Sequence, residues 1–184
     1  MRLAPTLFLA ISLAAFTAST AHAGSKGGVI MPNTIKVAGK NLALNGMGIR
    51  EATVFKVDVY VAGLYLETKS KDSKAIIASD TTKRIHMKFV RDVDREDLVK
   101  AWKQGFGSAG ALKDRVKKLN SFMSDIEEGQ DMMFTYVPGK GTEVSVKKKN
   151  KGLIPGADFG SALIKIWLGP KPPNPGLRNG MLGK

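Results

Sequence analysis

The sequence predicts an α+β domain in which one antiparallel sheet is covered on one face by helices. Segments with the alternating apolar pattern of strands come first, amphipathic helices follow, and a hairpin and a last helix close the chain. Apolar residues at every second position indicate strands, whereas apolar residues three and four positions apart indicate helices. Runs of strands followed by runs of helices, without strict alternation of the two, favour the α+β class.

The first strands are predicted between residues 33 and 66, where β-branched and apolar residues dominate. Two short strands are centred on Ile35 and Leu42, and the glycines beside Met47 are expected to mark a bend, because glycine adopts backbone conformations that other residues resist. The run over residues 53–66 presents Phe55, Val57, Val59, Val61 and Tyr65 on one face, and Lys56, Asp58, Tyr60, Ala62, Leu64 and Leu66 on the other. Both faces become apolar toward Leu66, which predicts a central strand covered on both sides.

Four further elements are predicted in the middle of the chain. A short helix lies within residues 69–83, and an alternating strand follows over residues 84–90. Asp94 is expected to cap the next helix, because its carboxylate can accept hydrogen bonds from the amides of the first turn. Apolar spacing then predicts another helix over residues 112–126.

The last third of the sequence predicts a hairpin and a helix. The hairpin joins residues 132–137 to residues 142–149 through the turn Pro138-Gly-Lys-Gly141. The final helix, over residues 156–169, buries an apolar stripe. The tail over residues 170–184 is rich in proline and glycine, so it is expected to lie along the surface or to close one edge of the sheet.

The first 23 residues have the pattern of a secretory signal. A basic residue, Arg2, precedes an apolar run from Leu7 to Phe16, and Ala21-His22-Ala23 is typical of a cleavage site. The apolar run is too short to span a membrane, and no later segment is apolar enough to do so. We therefore expect residues 24–184 to form one domain that is periplasmic or secreted.

Composition narrows the classes of partner and chemistry. The formal net charge is +13, and the chain has no cysteine, which excludes disulfides, thiolate chemistry and a lipidated cysteine. A basic chain often binds nucleic acid, but export would place this one near anionic envelope surfaces, so we expect a weak attraction to those surfaces and no nucleic acid partner. The lysine-rich runs at 113–118 and 147–151 are interpreted as solvated faces.

Motifs for a cofactor, a metal or a catalytic group are missing or out of context. Residues 105–110 match G-x-G-x-x-G, but they separate two predicted helices, whereas the dinucleotide motif joins a strand to a helix. Beyond the signal, His86 is the single histidine, and we expect it to be an exposed strand residue and not a metal ligand. Trp102 and Trp167 are interpreted as core residues. We therefore expect no cofactor, no metal and no catalytic residue.

Arg50, at the head of the long apolar strand, is the candidate for ligand recognition. A guanidinium binds a carboxylate through two parallel hydrogen bonds and stays charged when partly buried. Tyr60, on the less apolar face of the next strand segment, can donate a further hydrogen bond. From these residues alone two interpretations stand: an anion-binding pair in an apolar pocket, or an exposed bend residue and an unrelated core ring.

Several segments resemble the chalcone isomerase family, in particular its bacterial, exported chalcone-isomerase-like branch. These segments are GMGIR, FKVDVYVAGLYLE, RIHMKFVRDVDREDL, VSVKKKNKGLIPGADFGSALIKIWLG and GLRNGMLG, which follow the family's order over nearly the whole chain after the signal. The strand ending in GLYLE and the helix ending in IWLG are the most specific. The resemblance implies an open-faced β-sandwich, in which a large antiparallel sheet has helices packed on one face.

The resemblance also implies roles for the two candidate residues. Arg50 in GMGIR matches the arginine that orients the ligand in the plant enzymes. The strand threonine of those enzymes is replaced by Tyr60, and the later tyrosine expected after MKFVRDV is replaced by Asp94 and its neighbours. The Arg50 and Tyr60 pair instead resembles the family's fatty-acid-binding relatives, in which these two groups hold a carboxylate.

Three functional hypotheses follow, from different classes. The leading one is a periplasmic, non-catalytic protein that binds a fatty acid or similar apolar carboxylate through Arg50 and Tyr60. The alternative is a chalcone-flavanone isomerase-type enzyme, an intramolecular lyase acting on a phenolic or enone substrate. The third is an interaction module whose basic charge binds anionic lipid surfaces.

Overall fold

The structure is a computed structural model that describes residues 23–52 and 57–184. Its strands are β1 (Ala23–Lys26), β2 (Val29–Pro32), β3 (Thr34–Val37), β4 (Lys40–Ala52), β5 (Val57–Leu66), β6 (Lys83–Phe89), β7 (Asp131–Val137), β8 (Gly141–Val146) and β9 (Lys149–Ile154). Its helices are α1 (Ser73–Ala78), α2 (Arg95–Phe106), α3 (Lys113–Ser121), α4 (Ala157–Leu168) and α5 (Pro175–Met181), with a 3-10 turn at Gly110–Leu112. The predicted signal lies outside these ranges except for Ala23. None of the helices in them is both long and apolar enough to cross a bilayer.

The predicted antiparallel sheet is confirmed. Seven strands, β3 to β9, pair in sequence order, and every pairing between neighbours is antiparallel. Strands β1 and β2 form a separate two-stranded ribbon. Short turns join most of these neighbours, whereas α1 lies between β5 and β6, and α2 and α3 lie between β6 and β7.

Strand β5 separates two apolar clusters, as its alternation predicts from Tyr60 onward, but Val59, predicted on the face of Val61, packs with the main core where the register shifts. Tyr60 and Leu64 belong to the main core, which lies between the sheet and the helices. Val61 and Tyr65 belong to a second cluster on the opposite face, where Met31 of the β1–β2 ribbon is almost fully buried. The strand is therefore covered on both sides, and the helices lie on one face of the sheet. The predicted α+β class is confirmed.

The bend predicted at the glycines beside Met47 is wrong, because β4 continues through them. A Cβ atom at Gly46 would lie 2.2 Å from the carbonyl oxygen of Gly180, and one at Gly48 would lie 2.1 Å from that of Leu177. Real Cβ atoms do not approach backbone oxygens so closely. Glycine is required here because the backbone of α5 packs directly onto the strand.

The tail is the largest departure from the predicted elements. Instead of lying along the surface, residues 175–181 form α5, and its Leu177 and Met181 are fully buried. Proline at the first helical position suits a helix start, since that residue needs no amide donor. The helix covers β4 and completes the main core.

Three smaller predictions also differ from the structure. Asp94 occupies the N-cap of α2, but its side chain makes no capping bond; the Arg95 amide donates to the carboxylate of Asp125 at 2.8 Å instead. Helix α3 ends at Ser121, well before residue 126. The predicted strand over residues 142–149 breaks at Lys147 and Lys148, which adopt left-handed backbone conformations and form the turn into β9.

Candidate functional site

A cleft of about 900 Å³ lies between one end of the sheet and helices α2 and α4. That volume is typical of a small-molecule site. Its apolar walls are formed by Val59, Met87 and Phe89 of the sheet, Leu98 and Trp102 of α2, and Ile166 and Trp167 of α4. Arg50 and Tyr60 both line this cleft, so the structure brings the two predicted site residues together.

The sheet register explains why Arg50 and Tyr60 are neighbours. They are directly paired between β4 and β5, and residues opposite each other in an antiparallel pair point to the same face. The register shifts between Arg50 and Glu51, which is a β-bulge or a similar irregularity. Irregularities of this kind redirect side chains at the end of a strand.

Arg50 is half-buried and retains hydrogen-bonding capacity. Its Nη1 donates to the backbone oxygens of Glu51 and Pro173, the latter at 3.2 Å. Within residues 23–52 and 57–184, its Nε and Nη2 have no hydrogen-bond acceptor. A guanidinium has five N–H donors, so two nitrogens remain available to an acceptor that enters the cleft.

Tyr60 is 9% exposed, and its hydroxyl oxygen accepts a hydrogen bond from Trp167 Nε1 at 3.0 Å. No acceptor for its own proton lies within the part of the chain that the structure describes. Burial raises the pKa of Tyr60 to about 12, although the bond from Trp167 and the charge of Arg50 both act to lower it. Tyr60 is therefore a neutral hydroxyl that can donate into the cleft at physiological pH.

Trp167 has a role that the sequence interpretation did not include. The prediction that Trp102 and Trp167 are core residues agrees with their exposures of 4% and 0%. Trp167 also fixes the Tyr60 hydroxyl, and its ring packs edge-on against Trp102 at 5.7 Å between centroids. Tyr60 and Trp167 are 107 residues apart, so no local sequence pattern could indicate this contact.

The rim of the cleft carries both signs of charge. Arg91, Lys100 and Lys171 line it together with Asp92, Asp94 and Asp97. Asp94, which stands where the resemblance implied a tyrosine, therefore lies beside the cleft. The mixed rim makes no strong field of one sign, so any selectivity for an anion must come from Arg50 and Tyr60.

His86 lies away from the cleft, on the opposite face of the sheet. Its Nε2 is 2.8 Å from Asp131 Oδ1, and its side chain is 23% exposed, so the expectation of a solvent-exposed histidine was wrong. The bond to His86 and the charges of His86 and Lys88 lower the pKa of Asp131 despite its burial. In the ranges that the structure describes, no three His, Cys, Asp or Glu side chains are placed to hold a metal ion.

Comparison with known proteins places this cleft in a recognised fold. The structure matches that of a fatty-acid binding protein from Arabidopsis thaliana with a TM-score of 0.72 and 14% sequence identity, over 88% of this chain and 96% of that one. At this identity the likeness establishes the fold. No functionally curated protein matches the sequence. Residues 23–183 match the model of the chalcone isomerase-like family, and the chain therefore belongs to that family.

Proposed function

We propose that this protein is a non-catalytic carrier that binds a fatty acid or a similar apolar carboxylate in the cleft beside Arg50. The observation that carries the proposal is that Arg50 and Tyr60 stand on one wall of a cleft with apolar walls and a charged rim, with donors that find no acceptor among residues 23–52 and 57–184. Export to the periplasm is part of the proposal and rests on the pattern of the first 23 residues.

Arg50 and Tyr60 suit a carboxylate in both charge and geometry. The Nε and Nη2 of Arg50, which have no acceptor among the residues that the structure describes, form a planar edge suited to two carboxylate oxygens in parallel. The Tyr60 hydroxyl, held by Trp167, can donate a third bond from the adjacent strand. A neutral donor beside a cation stabilises an anion without adding a competing charge.

The apolar walls suit an acyl chain. Each buried methylene contributes about 0.8 kcal/mol, so a chain of several methylenes along Phe89, Trp102 and Ile166 gives useful affinity without a covalent step. The similar Arabidopsis thaliana protein is named for fatty-acid binding, which adds support for a ligand of this class.

The test is the affinity of residues 24–184 for palmitate, measured by isothermal titration calorimetry. Replacing Arg50 by Ala is expected to weaken binding about 100-fold, because charge-assisted bonds to the carboxylate are lost. The free energy of unfolding is expected to change by no more than about 1 kcal/mol, as for a site residue outside the core.

The matched control is Arg84→Ala. Arg84 is another half-buried strand arginine, but it donates to Thr135 on the opposite face of the sheet and does not line the cleft. The Arg84→Ala variant should bind palmitate with the affinity of wild type. Equal affinity of wild type and Arg50→Ala would refute the carrier proposal, and so would conversion of a chalcone to a flavanone that disappears in Arg50→Ala.

A further inference from the structure

A second cleft, of about 560 Å³, adjoins the first. It lies between the C-terminal end of α2, the loop that follows, and α4. Gly105, Ile166 and Lys171 line both clefts. The two spaces therefore share one boundary.

The second cleft has both apolar and polar lining. Phe106 stacks on the buried Phe159 with ring centroids 5.5 Å apart, and this stack lies where α2 meets α4. Leu112 and Ala162 add further apolar surface to the lining, whereas Ser108, Lys165 and Lys171 add polar groups. The apolar part of this lining would suit the methyl end of an acyl chain.

Ile166 of α4 packs against Gly105 of α2, and these two residues form the boundary between the clefts. A Cβ atom at Gly105 would lie 2.9 Å from both Cδ1 and Cγ2 of Ile166. Glycine destabilises the interior of a helix relative to alanine, and the close approach of Ile166 gives its presence in α2 a steric explanation. Ile166 itself is 8% exposed, and it occupies the space that a side chain at 105 would need.

We propose that the two clefts form one acyl-binding groove in which Ile166, packed against Gly105, sets the longest chain that fits. The carboxylate binds at Arg50, the chain follows the first cleft, and the Ile166 side chain blocks its way into the second. This inference rests on the proposed fatty-acid function and identifies the residue that determines chain-length specificity.

The proposal predicts that affinity rises with chain length up to a certain length and then levels off. We call that length the break. Each added methylene should tighten binding about fourfold while the chain lies in the first cleft. Beyond the length that reaches Ile166, the gain should stop. Saturated fatty acids from octanoate to eicosanoate, titrated one by one into the protein, will locate the break.

Two substitutions move the break in opposite directions. Ile166→Ala is expected to shift it to longer chains by at least two methylenes, with about a fourfold gain for each, because the boundary is removed. Gly105→Ala is expected to shift it to shorter chains, because the added methyl group narrows the passage. Ile164→Ala is the matched control, since Ile164 is a buried α4 isoleucine that lines neither cleft.

The outcomes separate this inference from the function on which it rests. If the break stays at the same chain length in Ile166→Ala and Gly105→Ala while palmitate binding still depends on Arg50, the groove proposal is wrong but the proposed function stands. Loss of the Arg50 dependence would overturn the proposed function first. A shift as large in Ile164→Ala as in Ile166→Ala would also contradict the boundary role.

Discussion

Two buried tyrosines, Tyr60 and Tyr136, lie at opposite ends of the sheet, and each has a cation nearby. Tyr136 donates to the carboxylate of Asp80, and Lys83 Nζ lies 5.7 Å from the centroid of its ring. Lys83 also donates to Ser79 and, at 2.9 Å, to the carbonyl oxygen of Ile76, so it closes the C-terminal end of α1.

The two pairs differ in how many donors are already used. Lys83 has three acceptors, and Tyr136 has one for its proton. Tyr60 has none for its proton, and Arg50 has none for two of its nitrogens, within the ranges that the structure describes. A polar cluster whose donors are all matched stabilises the fold, whereas one with unmatched donors beside a cleft can bind a ligand.

Removing the Lys83 amine is the strongest test of the contrast between the Tyr136 and Tyr60 clusters. Lys83→Met keeps the length of the side chain but removes the amine that donates to Ile76 and Ser79, and only the Ser79 hydroxyl still donates to the Ile76 carbonyl. We expect a loss of about 3 kcal/mol in the free energy of unfolding, measured with urea, because the hydrogen bonds from a charged amine are lost. Palmitate affinity of the folded protein should not change. A variant as stable as wild type would show that this cluster is not structural.

A paired substitution sharpens the contrast between the two tyrosines. Tyr60→Phe removes a donor to the ligand and should weaken palmitate binding about tenfold, whereas Tyr136→Phe should leave binding unchanged. Each should cost about 1 kcal/mol of stability, since Trp167 loses an acceptor in one variant and Asp80 loses a donor in the other. Calorimetric titration measures the first effect and urea unfolding the second. Equal binding losses in both variants would contradict the distinction.

The remaining prediction is a dependence of stability on pH. Burial lowers the pKa of Lys83 to about 8 from 10.5. Between these values the unfolded chain carries more protons on this amine than the folded chain, so rising pH stabilises the fold. Burial raises the pKa of Tyr60 and Tyr136 to about 12 from 10, so from pH 10 to 12 their contribution reverses and stability falls.

Urea unfolding of wild type and Lys83→Met between pH 7.5 and pH 10 measures the contribution of the Lys83 amine to this pH dependence. The difference in stability between the two proteins should grow as the pH rises, by less than the total loss caused by the substitution. A difference that is constant over this range would mean that the Lys83 amine does not titrate there.

The sequence was sufficient to predict the sheet and its class, because alternation is a local signal. It also singled out Arg50 and Tyr60, which the structure places on one cleft, while their role as a binding pair stays a prediction. It did not reveal what holds Tyr60 in place, since the bond from Trp167 depends on packing between α4 and the sheet. Helix α5 had a signal that the proline-rich composition obscured: proline at the first helical position, followed by apolar residues at 177 and 181, four apart. Strand β9 was missed because its turn uses Lys147 and Lys148 where glycine or asparagine is usual.

The contacts between α5 and β4 have a kinetic consequence. Asn45 donates to the carbonyl of Met181, and Asn174 donates to that of Ile49, so chain segments separated by 136 and 125 residues meet beside Arg50. Contacts this distant in sequence form slowly, because the entropy of closing the intervening loop must be overcome first. The ribosome must therefore have delivered residues 174–181 before the strand that carries Arg50 can acquire its final surroundings. Until then, the sheet can form, but the cleft beside Arg50 is incomplete.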